Sequence, residues 1–344
     1  MSKTTRVLSG AILAAVLAAP AMQAAAAEVN IYSFRQQFLI QPLLDAFTEE
    51  TGIKTNVVFS KKGLLERLKV EGKNSPADIL LTADIGPLHD AVQKGLLQTM
   101  ESDVVDANVP AKFRDPDGKW VGLTTRSRII YTSKERVKDG EIATYEDLAD
   151  PKWSGRICTR SGKHTYNLSL IGSMLEAHGE ADTKEWLESV KDNLARKPQG
   201  NDRTQVKAVK EGVCDIALGN SYYFGKMITN DKKPEQKAWA ESVNLIFPNQ
   251  DDRGAHMNIS GAGITKYAPH RAEAQQLIEF LTTEKAQRIY AEANFEFPVK
   301  EGTPWSALLK EYMSEFKQDG INLQRIAAQR ANAAKLVDQV GFDN

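Results

Sequence analysis

Glu28-Val29-Asn30-Ile31-Tyr32-Ser33 reads as a short β-strand, and in the segment Phe38 to Thr51 that follows, the apolar period lengthens from two to about 3.6 residues. Leu39, Leu43, Leu44 and Phe47 share one face of that segment, and Gly52 closes it as a helix. The alternation then repeats. Lys54 to Phe59 reads as a strand, Gly63 to Glu71 as a helix, Ala77 to Thr82 as a strand, and Ile85 to Gly95 as a helix. Strands that alternate with helices form right-handed βαβ units around a parallel sheet, so this region is α/β.

Upstream of Glu28 the chain has a different character. Met1 to Arg6 is basic, Val7 to Ala19 is apolar, and Ala24-Ala25-Ala26-Ala27 offers a small-residue cleavage site. This is the pattern of an export signal over residues 1–27, too short and Ala-rich for a membrane span. No later segment reaches about 18 uninterrupted apolar residues, so a soluble, exported mature chain is expected. The 44 Lys and Arg balance 45 Asp and Glu, which argues against nucleic acid or an acidic membrane surface as partner and fits a small ligand. Removing 27 of 344 residues leaves 317, more than one core normally supports, so two lobes are expected.

Downstream, Lys119 to Thr124 and Ile129 to Thr132 are β-rich, and Thr125-Arg126-Ser127-Arg128 between them reads as the first crossing between lobes. A second α/β block follows, with strands at Arg156 to Thr159 and Val213 to Leu218 and helices at Tyr166 to His178 and Thr183 to Asn193. Leu245 to Pro248 and His256 to Ser260 read as strands carrying the chain back. Helices from Arg271 to Ala293 and from Thr303 to Ala334, the last broken at Gly320, complete it. The expected lobes are 28–125 with 257–310, and 126–256, with C-terminal helices over 311–344. Such lobes, each a sheet flanked by helices and joined by crossing strands, place a ligand in the cleft between them. The only cysteines are Cys158 and Cys214. Export favours a disulfide between them over two buried thiols, stabilising by roughly 4 kcal/mol on the chain-entropy model.

The run Cys214-Asp215-Ile216-Ala217-Leu218-Gly219-Asn220 leads into Ser221-Tyr222-Tyr223. Neighbouring residues on a strand face opposite ways, so two adjacent phenols serve one site only where the strand has ended. Gly219, Asn220 and Ser221 supply that ending. With Asn220 or Ser221 as N-cap, both tyrosines fall in a first helical turn, where the dipole biases a phenol toward phenolate. A trivalent metal displaces the phenol proton outright, because binding and deprotonation are one coupled event. Two tyrosines packed in a core is the commoner explanation for such a pair taken alone. Tyr166, also near the start of a helix, is likewise a packing residue in isolation.

Further segments carry a resemblance: Tyr32-Ser33, Asp45-Ala46-Phe47, Pro76-Ala77-Asp78-Ile79, Thr124 to Arg128, Tyr166-Asn167, Gly219 to Tyr223, and Arg253 to Gly263. Together they resemble the periplasmic ferric-ion-binding proteins of ABC importers, across nearly the whole mature chain. The resemblance implies a type II periplasmic-binding-protein fold, a periplasmic monomer, an inner-membrane ABC permease as partner and no catalysis. It also implies that Tyr222 and Tyr223, a third tyrosine on the same lobe and partners from the other lobe grip Fe(3+) as the lobes close. Tyr166 matches the third tyrosine. Ferric iron is hard and prefers such anionic oxygens. Where relatives often carry a His-Tyr pair after the first strand, this chain has Phe34-Arg35-Gln36-Gln37-Phe38. Three tyrosinates leave an octahedral ion incomplete, so water or a small anion such as carbonate is expected to complete it, held by Arg126 and by Gln36 or Gln37. An interlobe ion pair is the alternative for Arg126, and Arg128 and Arg35 are weaker candidates for the anion.

Other chemistry finds no footing. The five histidines show no metal-ligand spacing, and neither His-Glu-x-x-His nor Gly-x-Ser-x-Gly occurs. The glycines from Gly155 to Gly162 are misspaced for a phosphate loop. The rival readings are a binding protein of the same fold for an oxyanion, a polyamine or thiamine, and an exported enzyme.

Overall fold

The computed structural model describes residues 27–344; residues 1–26 of the expected export signal lie outside the described residues. The chain enters through β1 (Glu28–Ser33), which pairs in parallel with β2 (Lys54–Phe59) and β3 (Ile79–Thr82). The helix Gln37–Thr51 between β1 and β2 buries Ile40, Leu43, Leu44 and Phe47, so Ile40 takes the core position expected of Leu39. Gly52, at φ 73°, ends that helix by donating its N–H to the Thr48 carbonyl.

The next strand, β4 (Val121–Ser133), has 13 residues, about 43 Å at 3.3 Å per residue. After it come β5 (Ile157–Cys158), β6 (Ile216–Asn220), β7 (Val243–Ile246), β8 (Met257–Ile264) and β9 (Phe297–Pro298). Strand order is β2-β1-β3-β8-β4-β6-β5, with β7 and β9 also pairing β4. Over Val121–Ser127, β4 lies antiparallel to β8; from Arg128 onward it lies against β6 and β7. One strand thus belongs to both lobes, and the Thr125–Arg128 segment is continuous sheet. β8, antiparallel to both β3 and β4, is the second connection.

Each end of this sheet has its own core. Val29, Leu43, Phe47, Ile79, Ile259 and Leu277 share one cluster; Ile130, Trp153, Leu170, Met174, Ile216 and Leu336 share another. A third cluster joins Tyr131, Val206, Ala217, Phe224 and Met227 to Phe295, Phe297 and Leu309. Cys158 and Cys214 are joined as a disulfide with Cα atoms 5.9 Å apart, tying β5 to the segment that enters β6. Among the described residues no helix is long and apolar enough to cross a membrane.

The two helices expected after Tyr166 are present within Thr165–Asp192, separated at non-helical Gly179, whose φ of 82° suits glycine. The helices depart from expectation in two other places. The one expected over Arg271–Ala293 is split into Arg271–Thr282 and Glu284–Asn294 by extended Thr283, whose side chain caps the second through Ala286 N. The C-terminal stretch is three short helices, Ala307–Tyr312, Leu323–Ala328 and Arg330–Gln339, and the region around Gly320 is a non-helical strap whose Gln318 bridges to Ala255.

Candidate metal centre

β6 delivers the paired tyrosines as its local sequence requires. The strand stops at Asn220, Ser221 turns into helical geometry, and Tyr222 and Tyr223 open the helix Tyr222–Ile228. The expected side-chain cap is absent. Ser221 Oγ instead accepts from Ser127 N at 3.3 Å, and Ser221 N donates to Ser127 O at 2.9 Å, which pins the turn to the crossing strand β4. Gly225 is required because a Cβ there would collide with the Phe295 ring.

Tyr166 arrives on a different helix. It is the second residue of Thr165–Asp192, where His164 acts as N-cap and accepts from Tyr166 N through Nδ1 at 3.3 Å. The His164 ring also meets Tyr166 edge-on at 4.6 Å. The result is convergence of three phenols. The Tyr166 and Tyr222 hydroxyl oxygens are 3.2 Å apart, and the Tyr222 and Tyr223 rings lie 4.4 Å apart, tilted by 34°. All three line a cleft of about 660 Å³, facing Phe34, Arg35, Gln36 and Glu296.

Burial opposes the bias toward phenolate expected from the helix dipole. Burial holds the Tyr222 phenol well above its usual range, neighbouring Tyr166 and Tyr223 push the same way, and the Arg126 charge opposes them. Tyr223 is raised too, again chiefly by burial. A seven-residue helix supplies too little dipole to overcome that desolvation.

Arg126 is buried beneath the cleft floor, where its guanidinium donates to Ala83 O and, at 3.3 Å, to Ser260 Oγ. Gln36 is exposed at the rim, in the N-cap position of Gln37–Thr51. Gln37 turns along that helix and donates to Gln41 at 2.9 Å. Arg35, the weaker sequence candidate, lies in the cleft wall and pairs with Glu296 at 2.6 Å. Burial opposes ionisation of Glu296, yet the Arg35 and Arg126 charges hold its carboxyl below the usual range.

Sequence reasoning missed Glu296, Arg203 and Lys226, all in the cleft lining. Glu296 had one local signal, a carboxylate set between Phe295 and Phe297 in an otherwise apolar stretch. The Arg203 guanidinium lies 5.8 Å from the Tyr223 ring centroid. Burial lowers Lys226 to about 8, with Glu296 opposing and Arg35 and Arg203 adding. Among the described residues no group of three or more His, Cys, Asp and Glu is arranged for a metal.

Two lobes sharing long strands, with a cleft of ligand size between them, define a solute-binding protein. The chain belongs to the bacterial extracellular solute-binding protein family, which it matches over residues 74–319. It is 44% identical to iron uptake protein A1 of Synechocystis sp., covering 92% of this chain and 87% of that one. It is 30% identical to the Fe(3+)-binding periplasmic protein of Serratia marcescens, over 81% and 82%. Among solved structures, the apo ferric ion-binding protein A of Pasteurella haemolytica superposes with a TM-score of 0.87 at 52% identity, covering 92% of this chain and 98% of that one. A Trichodesmium protein in complex with iron and citrate gives the same TM-score at 43% identity, over 92% and 99%. The two solved structures share this chain's fold over more than nine-tenths of its length.

Proposed function

We propose that this chain captures ferric iron in the cleft and delivers it to an inner-membrane ABC permease, without catalysing a reaction. The observation that carries the reading is the convergence of Tyr166, Tyr222 and Tyr223, with two hydroxyl oxygens 3.2 Å apart in one cleft. Three tyrosinates neutralise a trivalent, hard cation. The ferric and iron-uptake relatives point to the same cargo.

In this reading, carbonate or water completes the coordination. Arg126 contributes charge from beneath the floor, and Gln36 an amide from the rim. The lobes divide as 28–125 with 257–310 and 126–256, residues 311–344 supply C-terminal helices, and iron bound by one lobe is covered by the other, so the loaded state favours closure. The protein is exported to the periplasm after removal of residues 1–27 and works as a monomer.

Adding ferric iron to the purified, iron-stripped mature chain produces an orange to red phenolate-to-iron charge-transfer band. Tyr222→Phe and Tyr223→Phe lose or shift that band. A colourless titration with no bound iron removes the reading, and turnover of any substrate would favour an exported enzyme.

A further inference from the structure

Asp202 is completely buried at the start of the helix Asp202–Lys210, and its two carboxylate oxygens serve different segments of the site. Oδ2 accepts from Asn220 N at 3.0 Å and from Arg128 Nη1 at 2.7 Å, while Oδ1 accepts from Arg160 Nη1 at 3.0 Å. Arg128 reaches onward through Nη2 to Asn167 Oδ1 at 2.8 Å. Asn167 Nδ2 in turn donates to the carbonyl of Arg160 at 3.0 Å. Asn220 stands two residues before Tyr222, and Asn167 directly follows Tyr166. One carboxylate therefore ties together the two chain segments that carry the phenols.

Two guanidinium groups share that single carboxylate, so the cluster keeps a surplus positive charge. The surplus is aimed at the site. The Arg160 and Arg128 guanidinium carbons lie 5.2 and 5.9 Å from the Tyr166 ring centroid. Nε of each is buried without a partner among the described residues, so neither charge is fully quenched by local acceptors. A cluster serving only the fold gains nothing from a second arginine on one buried carboxylate, because desolvating an unmatched charge costs stability.

Resting on the iron-capture reading above, we propose that Asp202, Arg128 and Arg160 are the positioning residues of the iron site. They fix the approach of the Tyr166 and Tyr222 oxygens, and their surplus charge stabilises the iron-bound tyrosinate without touching the metal. Arg160, at the edge of the cluster with 12% of its side chain exposed, is the member whose replacement disturbs folding least.

The test compares Arg160→Gln and Arg160→Lys in the full mature chain, with ferric iron affinity measured by citrate competition, the charge-transfer band recorded, and apo melting followed by circular dichroism. Arg160→Gln is expected to weaken iron binding by about tenfold or more and to move the band to longer wavelength, the loss appropriate to one opposite charge at this range. Arg160→Lys, which keeps the charge, is expected to hold the band in place, with both apo melting curves close to wild type. Wild-type affinity and band position in Arg160→Gln overturn the proposal while leaving iron capture intact. A colourless wild type overturns iron capture itself, and this proposal with it. Should Arg160→Gln fail to fold, Asn167→Ser cuts the other tie with all charges retained; weakened iron binding with an unmoved band supports positioning, and wild-type binding overturns it.

Discussion

Replacing Tyr222 by Phe changes the pH dependence of iron capture by an amount the structure specifies. Burial keeps the Tyr222 and Tyr223 phenols well above the usual tyrosine range, so both carry protons at neutral pH in the empty cleft. Coordination as tyrosinate releases those protons, one from each ring. The logarithm of the apparent affinity therefore rises with pH by one for each phenol that ionises, and binding weakens as pH falls. Tyr222→Phe removes one released proton and lowers that slope by one. The ratio of wild-type to variant affinity grows about tenfold per pH unit, equivalent to about 1.4 kcal/mol per unit.

The folded apo protein loses little, because among the described residues the Tyr222 hydroxyl bonds to Tyr166 and Tyr223 within the phenol cluster, and the ring itself is retained. The stability change should lie within about 1 kcal/mol. The assay is competition for ferric iron against one fixed chelator at several pH values between 6 and 8. Protonation of the chelator and hydrolysis of free iron cancel in the wild-type to variant ratio. A ratio independent of pH, or equal affinities, refutes the claim that Tyr222 binds iron as an anion.

Three further outcomes follow from other parts of the molecule. Glu296→Ala strips Arg35, 4% exposed, of its carboxylate at 2.6 Å, and the apo protein is expected to lose about 3–5 kcal/mol in urea unfolding; a loss under about 1 kcal/mol would show that Arg35 is solvated elsewhere. Cys158→Ala with Cys214→Ala opens a loop of sequence separation 56 and should cost about 4 kcal/mol of apo stability while the iron colour persists; an unchanged urea midpoint contradicts the estimate. Burial, reinforced by Arg253, Arg128 and Arg126, holds His256 down to about 3, so it stays neutral in the folded chain while the unfolded chain takes up a proton near 6.5. Its contribution to stability is present above that pH and lost as pH falls toward 3, by up to about 1.4 kcal/mol per unit; His256→Gln should flatten the stability profile there, and superimposable profiles rule this out.

Local periodicity made most of the architecture legible, and proximity in sequence made part of the site legible. Tyr222 and Tyr223 are adjacent, so a change from strand to helix was needed to bring both phenols to one cleft, and Gly219 to Ser221 announced that change. β4 was harder. Its four central residues include two arginines and read as a crossing between two shorter strands, but in three dimensions each arginine finds partners outside the strand: Arg126 in Ala83 and Ser260, Arg128 in Asp202, Asn220 and Asn167. Arg35 and Glu296 are 261 residues apart, and no local pattern joins them. The break at Thr283 was hidden because both flanking segments keep a helical apolar face and only the backbone turn at one residue separates them. The protonation of the phenols was misjudged for a related reason. A dipole is inferred from sequence position, whereas desolvation depends on what the rest of the fold packs around the hydroxyl.

Charge in the cleft constrains how iron reaches those phenols. Glu296 is matched by Arg35, and Asp202 is outnumbered by Arg128 and Arg160. Among the described residues neither Arg126 nor Arg203 has a carboxylate within ion-pair distance, and Lys226 adds further positive charge below about pH 8. While the phenols are protonated, this surround attracts anions and repels a bare trivalent cation. On the iron-capture reading, the favourable approach is therefore of iron still carrying negative oxygen ligands. Each phenol that ionises then replaces one of those ligands and supplies the proton the departing ligand takes up, so net charge near the site changes little at any step. On the same reading, the lack of a fourth tyrosine in the cleft lining among the described residues fits this balance. Three tyrosinates would cancel the iron charge and leave the basic residues around them unmatched, and a small anion in the unfilled positions would serve both the metal and the cleft.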